Sequence, residues 1–150
     1  MDGAMKLDPD ARQPLMGPDE CAAYIEEVFP AVRGRFDVLE VTPMRALVRR
    51  KVGVEDIRPG GTVSGPAMFE AVDCAFYAAV LAMIGRQALA VTTNATINFL
   101  NKPDPVDLIC DARILKLGKL LATGDATITS EGGAKPVAHA TLTYAIPPKK

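Results

Sequence analysis

The chain has 150 residues, 49% of them hydrophobic and 23% charged, with a net charge of −1. That length suits one domain with its own core, and the composition is too apolar for a disordered chain. Its 17 basic and 18 acidic residues are scattered, without a basic block or basic–aromatic interleaving, so no nucleic-acid partner is expected.

Residues 1–17 carry Gly3, Pro9, Pro14 and Gly17 with no apolar periodicity, and the expectation is a flexible tail without the apolar stretch of a signal peptide. From Pro18 to about Pro30 a first helix is predicted, with Cys21, Ile25, Val28 and Phe29 at helical spacing and acids in the first turn. Two strand-like runs, 34–42 and 44–52, are separated by Pro43. Residues 53–63 form a loop, because Pro59-Gly60-Gly61 continues neither element. Ser64 then suits a helix N-cap, Pro66 the first turn and Gly85 the C′ position. The helix between them is apolar on nearly every face, so other protein must wrap it. A membrane span is rejected, since Glu70 and Asp73 interrupt the stretch and an Asp at mid-bilayer costs about 2.5–3.5 kcal/mol. Four more strands are predicted over 88–100, 106–118, 120–130 and 136–146, the last alternating Ala138, Ala140, Leu142, Tyr144 and Ile146 against His139, Thr141 and Thr143. This order predicts an α+β fold, an antiparallel sheet laid against one long central helix. Open sheet edges predict a homo-oligomer. Cys21, Cys74 and Cys110 are odd in number and widely spaced, which predicts neither disulfides nor a zinc site and fits a reducing cytoplasm.

Asp73 is the leading candidate for chemistry. An ionised carboxylate on so apolar a helix costs several kcal/mol unless it is paired, neutralised or open to a polar cleft. At about 100° per residue, Glu70, Asp73 and Tyr77 fall in one arc of the helix, with Pro66 on the same side. Two accounts of that stripe stand at this point: it faces a cleft, or its acids pair with Arg or Lys from the sheet or a second chain. Gly65, just inside the cap, offers an unobstructed backbone N–H where the helix dipole favours negative charge. It lies about 12 Å along the axis from Asp73. An amide able to bind an oxyanion, together with a carboxylate, serves acyl transfer.

The run Gly60-Gly61-Thr62-Val63-Ser64-Gly65-Pro66, followed by Ala67 to Asp73, resembles the signature of hotdog-fold acyl-CoA thioesterases of the PaaI-like group, a His-Gly-Gly opening the helix with an acid nine residues after the His. The stretch 91–103, VTTNATINFLNKP, resembles that family's next strand. The resemblance covers roughly residues 34–147 and implies a hotdog domain over 18–147, a sheet of five to six strands around the helix, with active sites shared across a dimer interface. By position it implies Asp73 as the catalytic carboxylate and Gly65 as the oxyanion donor. Thr92 or Thr93 falls where a hydroxyl positions water. Ser64 stands in place of the family's His, either bonding the thioester oxygen or only capping the helix, and Pro66 replaces the second Gly. Arg58 holds a position where some members have Asn. Arg58, Pro66, Glu70, Tyr77 and Asn94 are the expected substrate contacts.

The implied function is hydrolysis of small to medium acyl-CoA thioesters by a dimer or tetramer, with coenzyme A entering only as part of the substrate and no metal or other cofactor. A non-catalytic acyl-CoA-binding or regulatory protein is the alternative. A dehydratase is a third possibility, and it requires His139, the chain's one histidine, to lie beside Asp73.

Overall fold

The computed structural model describes residues 12–148. The elements run α1 (Pro18–Val28), β1 (Phe36–Thr42), β2 (Arg45–Arg50), α2 (Gly65–Ile84), β3 (Val91–Phe99), β4 (Leu108–Leu117), β5 (Leu121–Ser130) and β6 (Pro136–Ala145), with short 3-10 turns at Pro30–Val32 and Val54–Asp56. All six strands form one antiparallel sheet in the order β1-β2-β4-β5-β6-β3. The α+β expectation therefore holds, with six strands around a long helix.

α2 starts and stops where its sequence dictates. The Ser64 Oγ accepts the Ala67 N–H at 3.3 Å, Pro66 occupies the first turn, and Gly85 ends the helix at φ 87°. Its 20 residues reach about 30 Å, enough to carry the chain from β2 across the sheet to β3 at the opposite edge. By length and composition α2 could cross a membrane, but here the sheet wraps it. It touches every strand, and Ala71, Val72, Ala75, Phe76 and Leu81 are fully buried. α1 lies over α2 with Cys21, Tyr24 and Ile25 inward.

Small residues let the sheet approach the helix. A Cβ added at Gly124 of β5 would lie 2.6 Å from the Phe76 ring and 2.0 Å from the Arg113 carbonyl oxygen. The β1–β2 turn consists of Pro43 and Met44, and Met44 sits at φ 64°, a left-handed conformation that costs an ordinary residue roughly 1 kcal/mol.

The expected tail needs correction over its last residues. The Leu15 N–H donates to the Ala82 carbonyl at 2.6 Å, and Met16 is 3% exposed. The last turn of α2 leaves carbonyls without intrahelical partners, and this segment satisfies one while burying a methionine. Residues 1–11, the rest of that tail, lie outside the described residues. Strand β3 also starts three residues later than expected, because Gln87 and Ala90 close a turn.

Candidate active site

Asp73 sits on the side of α2 that faces the junction of β3 and β6. Thr92 Oγ1 donates to its Oδ1 at 2.5 Å and the Tyr144 hydroxyl donates to the same oxygen at 2.7 Å. Oδ2 receives no hydrogen bond from the described residues. The carboxylate makes no salt bridge with any described residue, is half-buried, and opens on a cavity of about 180 Å³ walled by Phe29, Tyr77, Ala90, Val91 and Tyr144. A negative group with one oxygen fixed and the other free toward a largely apolar cleft is equipped to take a proton or to attack a carbonyl.

The stripe predicted on α2 divides between two jobs. Glu70 pairs with Arg35 at 3.4 Å and Arg50 at 3.3 Å, so the ion-pair account holds for Glu70. Asp73 takes the other course. Tyr77 lines the Asp73 cavity, but its hydroxyl donates to the Ala88 carbonyl at 2.8 Å. Burial pushes the Tyr77 phenol up to about 12, and burial with the nearby charges of Asp73 and Glu70 pushes the adjacent Cys74 thiol to about 12 as well. Cys74 is therefore a protonated wall residue and not a nucleophile.

Thr92 and Thr93 separate through a β-bulge. Thr92 pairs with Tyr144 across the β3–β6 ladder, and the register then slips so that Asn94 pairs with Thr143. The extra residue, Thr93, turns away and donates its hydroxyl to the Thr143 carbonyl at 3.1 Å. Asn94 is exposed and lies apart from the Asp73 cavity walls.

Gly65 opens on a different cavity, of about 440 Å³, walled by Arg58, Met68, Phe99, Leu100 and Lys102 among others. Its N–H has no partner among the described residues. The neighbouring first-turn donors are spent, Ala67 on the Ser64 side chain and Met68 on the Ser64 carbonyl. Ser64 thus acts as the cap, and Pro66 is exposed beside it. No described residue lines both the Gly65 and Asp73 cavities, so among the described residues of one chain the amide and the carboxylate do not converge.

A buried pair aims the Gly65 loop. Arg50, 3% exposed at the end of β2, donates to both carboxylate oxygens of Asp56 at 2.7 and 3.1 Å. The Asp56 carbonyl in turn accepts the Ser64 N–H at 2.7 Å. The bond from Arg50 holds the Asp56 carboxyl below its ordinary range, against the opposing effect of burial. Burial works against the Arg50 cation, and the Asp56 bond with the Glu70 charge outweighs it.

The sequence missed Tyr144 and Asp56 as site residues. Tyr144 was legible only as part of an apolar alternation, and Asp56 only as a loop acid. His139 lies on the face of β6 opposite Tyr144 and bonds Asp125 at 3.1 Å. The sheet stands between it and Asp73, so the pairing that a dehydratase requires does not form within the chain. Among the described residues no cluster of His, Cys, Asp and Glu could hold a metal ion.

The family model described as the thioesterase superfamily matches residues 60–137, the stretch that carries the end of the loop, α2 and strands β3 to β5. A candidate thioesterase from Silicibacter sp. TM1040 has 47% identity over 93% of this chain and 97% of its own, with a TM-score of 0.86. The PaaI protein of E. coli shares the fold at 20% identity and TM-score 0.75, over 87% of this chain and 93% of its own. So does a hypothetical thioesterase from Streptococcus pneumoniae TIGR4, solved with coenzyme A, at 19% identity and TM-score 0.70 over 84% and 96%. No curated protein matches the sequence. With the helix, the sheet order and the matched loop in agreement, the chain is a hotdog-fold member of the thioesterase superfamily.

Proposed function

We propose that this protein hydrolyses acyl-CoA thioesters carrying small to medium acyl groups, with Asp73 as the catalytic carboxylate and the Gly65 N–H as the oxyanion donor. The observation that carries the proposal is the state of Asp73: unpaired with any described cation, one oxygen clamped, the other open to a cleft. In the reaction the thioester carbonyl oxygen accepts the Gly65 N–H, which stabilises the negative charge of the tetrahedral intermediate. Asp73 either removes a proton from the attacking water or attacks the carbonyl carbon itself. On the first route the carbon–sulfur bond breaks, the thiolate of coenzyme A leaves with the proton that Asp73 took from water, and the free acid remains. On the second, loss of the thiolate leaves an acyl anhydride on Asp73, and water then cleaves it, releasing the acid, restoring the carboxylate and supplying the thiolate's proton. Transfer of labelled solvent oxygen into Asp73 during one turnover marks the nucleophilic route.

Arg58 and Lys102 beside the Gly65 cavity suit the phosphates of coenzyme A, a role supported by the fold neighbour that holds that molecule. Because Gly65 and Asp73 open on separate cavities of one chain, the complete site in this proposal joins the Gly65 side of one protomer to the Asp73 side of its partner. The edge strand β3, with exposed Val91 and Phe99, is the surface that brings the two together.

The test is a panel of acyl-CoA substrates offered to wild type and to Asp73→Asn. Turnover by wild type, with a loss of at least about 1,000-fold in kcat for Asp73→Asn, supports hydrolysis. Tight acyl-CoA binding without turnover by wild type replaces it with the binding-protein alternative.

A further inference from the structure

We propose that Tyr144 is a positioning residue for the reaction, its hydroxyl acting with that of Thr92 to fix Oδ1 of Asp73 and leave Oδ2 facing the cleft. This rests on Asp73 being the catalytic carboxylate. The two donors are direct cross-strand partners in the β3–β6 ladder, so a single pair of facing residues supplies both hydrogen bonds, at 2.5 and 2.7 Å. The Tyr144 hydroxyl also lies 2.9 Å from the Asp73 backbone carbonyl. A buried phenol needs only one acceptor, and that carbonyl alone would satisfy it. Its shorter contact is with the reactive group.

The ring has no freedom to leave. Tyr144 is 3% exposed and packs against Phe76 at 5.2 Å and Tyr77 at 6.2 Å between ring centres. Burial, then the Asp73 charge, push its phenol well above the ordinary range. It therefore remains a donor at any working pH. Asp73 is thus anchored at its backbone by α2 and at one oxygen by the sheet, which removes the rotamer freedom a carboxylate at a cleft mouth would otherwise keep. Fixed geometry of this kind acts on the chemical step more than on substrate binding.

Tyr144→Phe deletes the hydroxyl and keeps the ring packing. A hydrogen bond to a charged group is worth enough to shift a rate by about 10- to 100-fold. The expected result is a fall of that size in kcat with KM changed less than about twofold. Three-bond couplings to the Asp73 carboxyl carbon supply a readout independent of turnover. They report one side-chain rotamer in wild type and an average of rotamers in Tyr144→Phe. A kcat within twofold of wild type, with the Asp73 rotamer unchanged, overturns the proposal and leaves Tyr144 a packing residue. Should wild type hydrolyse no acyl-CoA, the hydrolase proposal fails separately. The couplings alone then decide, averaging in the variant supporting the positioning role and an unchanged rotamer overturning it.

Discussion

Arg50 and Asp56 show how one buried pair sets the geometry of a distant amide. Their bidentate contact takes both charges out of water, which contributes little net stability but makes the removal of one partner expensive. Arg50→Met leaves Asp56 and Glu70 facing an apolar chain, with an expected loss of about 3 kcal/mol in urea unfolding. The pH dependence follows from the direction of the Asp56 shift. A carboxyl held lower in the folded state than in the unfolded one stabilises the fold above its unfolded pKa, near 4. That stability drains as pH falls through the folded value. Unfolding free energy between pH 5 and pH 2 is therefore expected to fall in wild type, and to fall less steeply in Asp56→Asn. Because the Asp56 carbonyl holds the Ser64 N–H, Arg50→Met is also expected to lower kcat, whereas Ser64→Ala is expected to cost only about 1 kcal/mol of stability as a lost cap.

At the scale of elements, close approach between α2 and the sheet depends on what β5 lacks. Gly124 lies where a methyl group would meet both the Phe76 ring and the Arg113 carbonyl. Gly124→Ala is expected to destabilise by about 1–3 kcal/mol through overpacking, read as a lower melting temperature with the acid dependence of unfolding unchanged. Such a contact is invisible in sequence, where Gly124 is one small residue in a strand. The helix itself was legible because its signals are local: a capping Ser64, Pro66 in the first turn and a terminal Gly85 bracket an apolar run. The strand β5 was legible for the same reason, its alternation being intact, and so was most of β4 and β6. β4 slips register between Ile114 and Lys116, and β6 opens with Val137 and Ala138 both buried. β3 was not legible in full, because the bulge after Thr92 reverses its parity. With Ala95 and Ile97 packed on the core, simple alternation puts Thr93 inside, whereas the extra residue brings Thr92 to Asp73 and turns Thr93 out. Tyr144 had the right face but no visible role, since its partner lies 71 positions away in the chain.

For the whole molecule the decisive question is whether a single chain holds a complete site. Its Gly65 and Asp73 cavities share no wall among the described residues, and β3 leaves a ladder of backbone groups at the edge of the sheet without a partner strand among those residues. Pairing β3 with a second copy would make the two sites equivalent by symmetry, each drawing its amide from one protomer and its carboxylate from the other. Complementation tests this without a structure of the dimer. Gly65→Pro removes the oxyanion N–H at a helix position where proline is tolerated, after a Ser64 already in the extended conformation that precedes proline. Its Cβ meets the Phe99 ring at 3.4 Å, an ordinary packing distance. Alone it is expected to lose about 100- to 1,000-fold in kcat, and Asp73→Asn alone to be essentially inactive. When the two inactive proteins are unfolded together and refolded, half of the dimers are mixed. Each mixed dimer then has one site with both groups intact and one with neither, so about a quarter of wild-type activity returns. If each site were built from one chain, every site in the mixed dimer would keep one defect and no activity would return. Recovery near a quarter, at the mass of a dimer by light scattering, identifies the shared site, and its absence confines the chemistry to a single protomer.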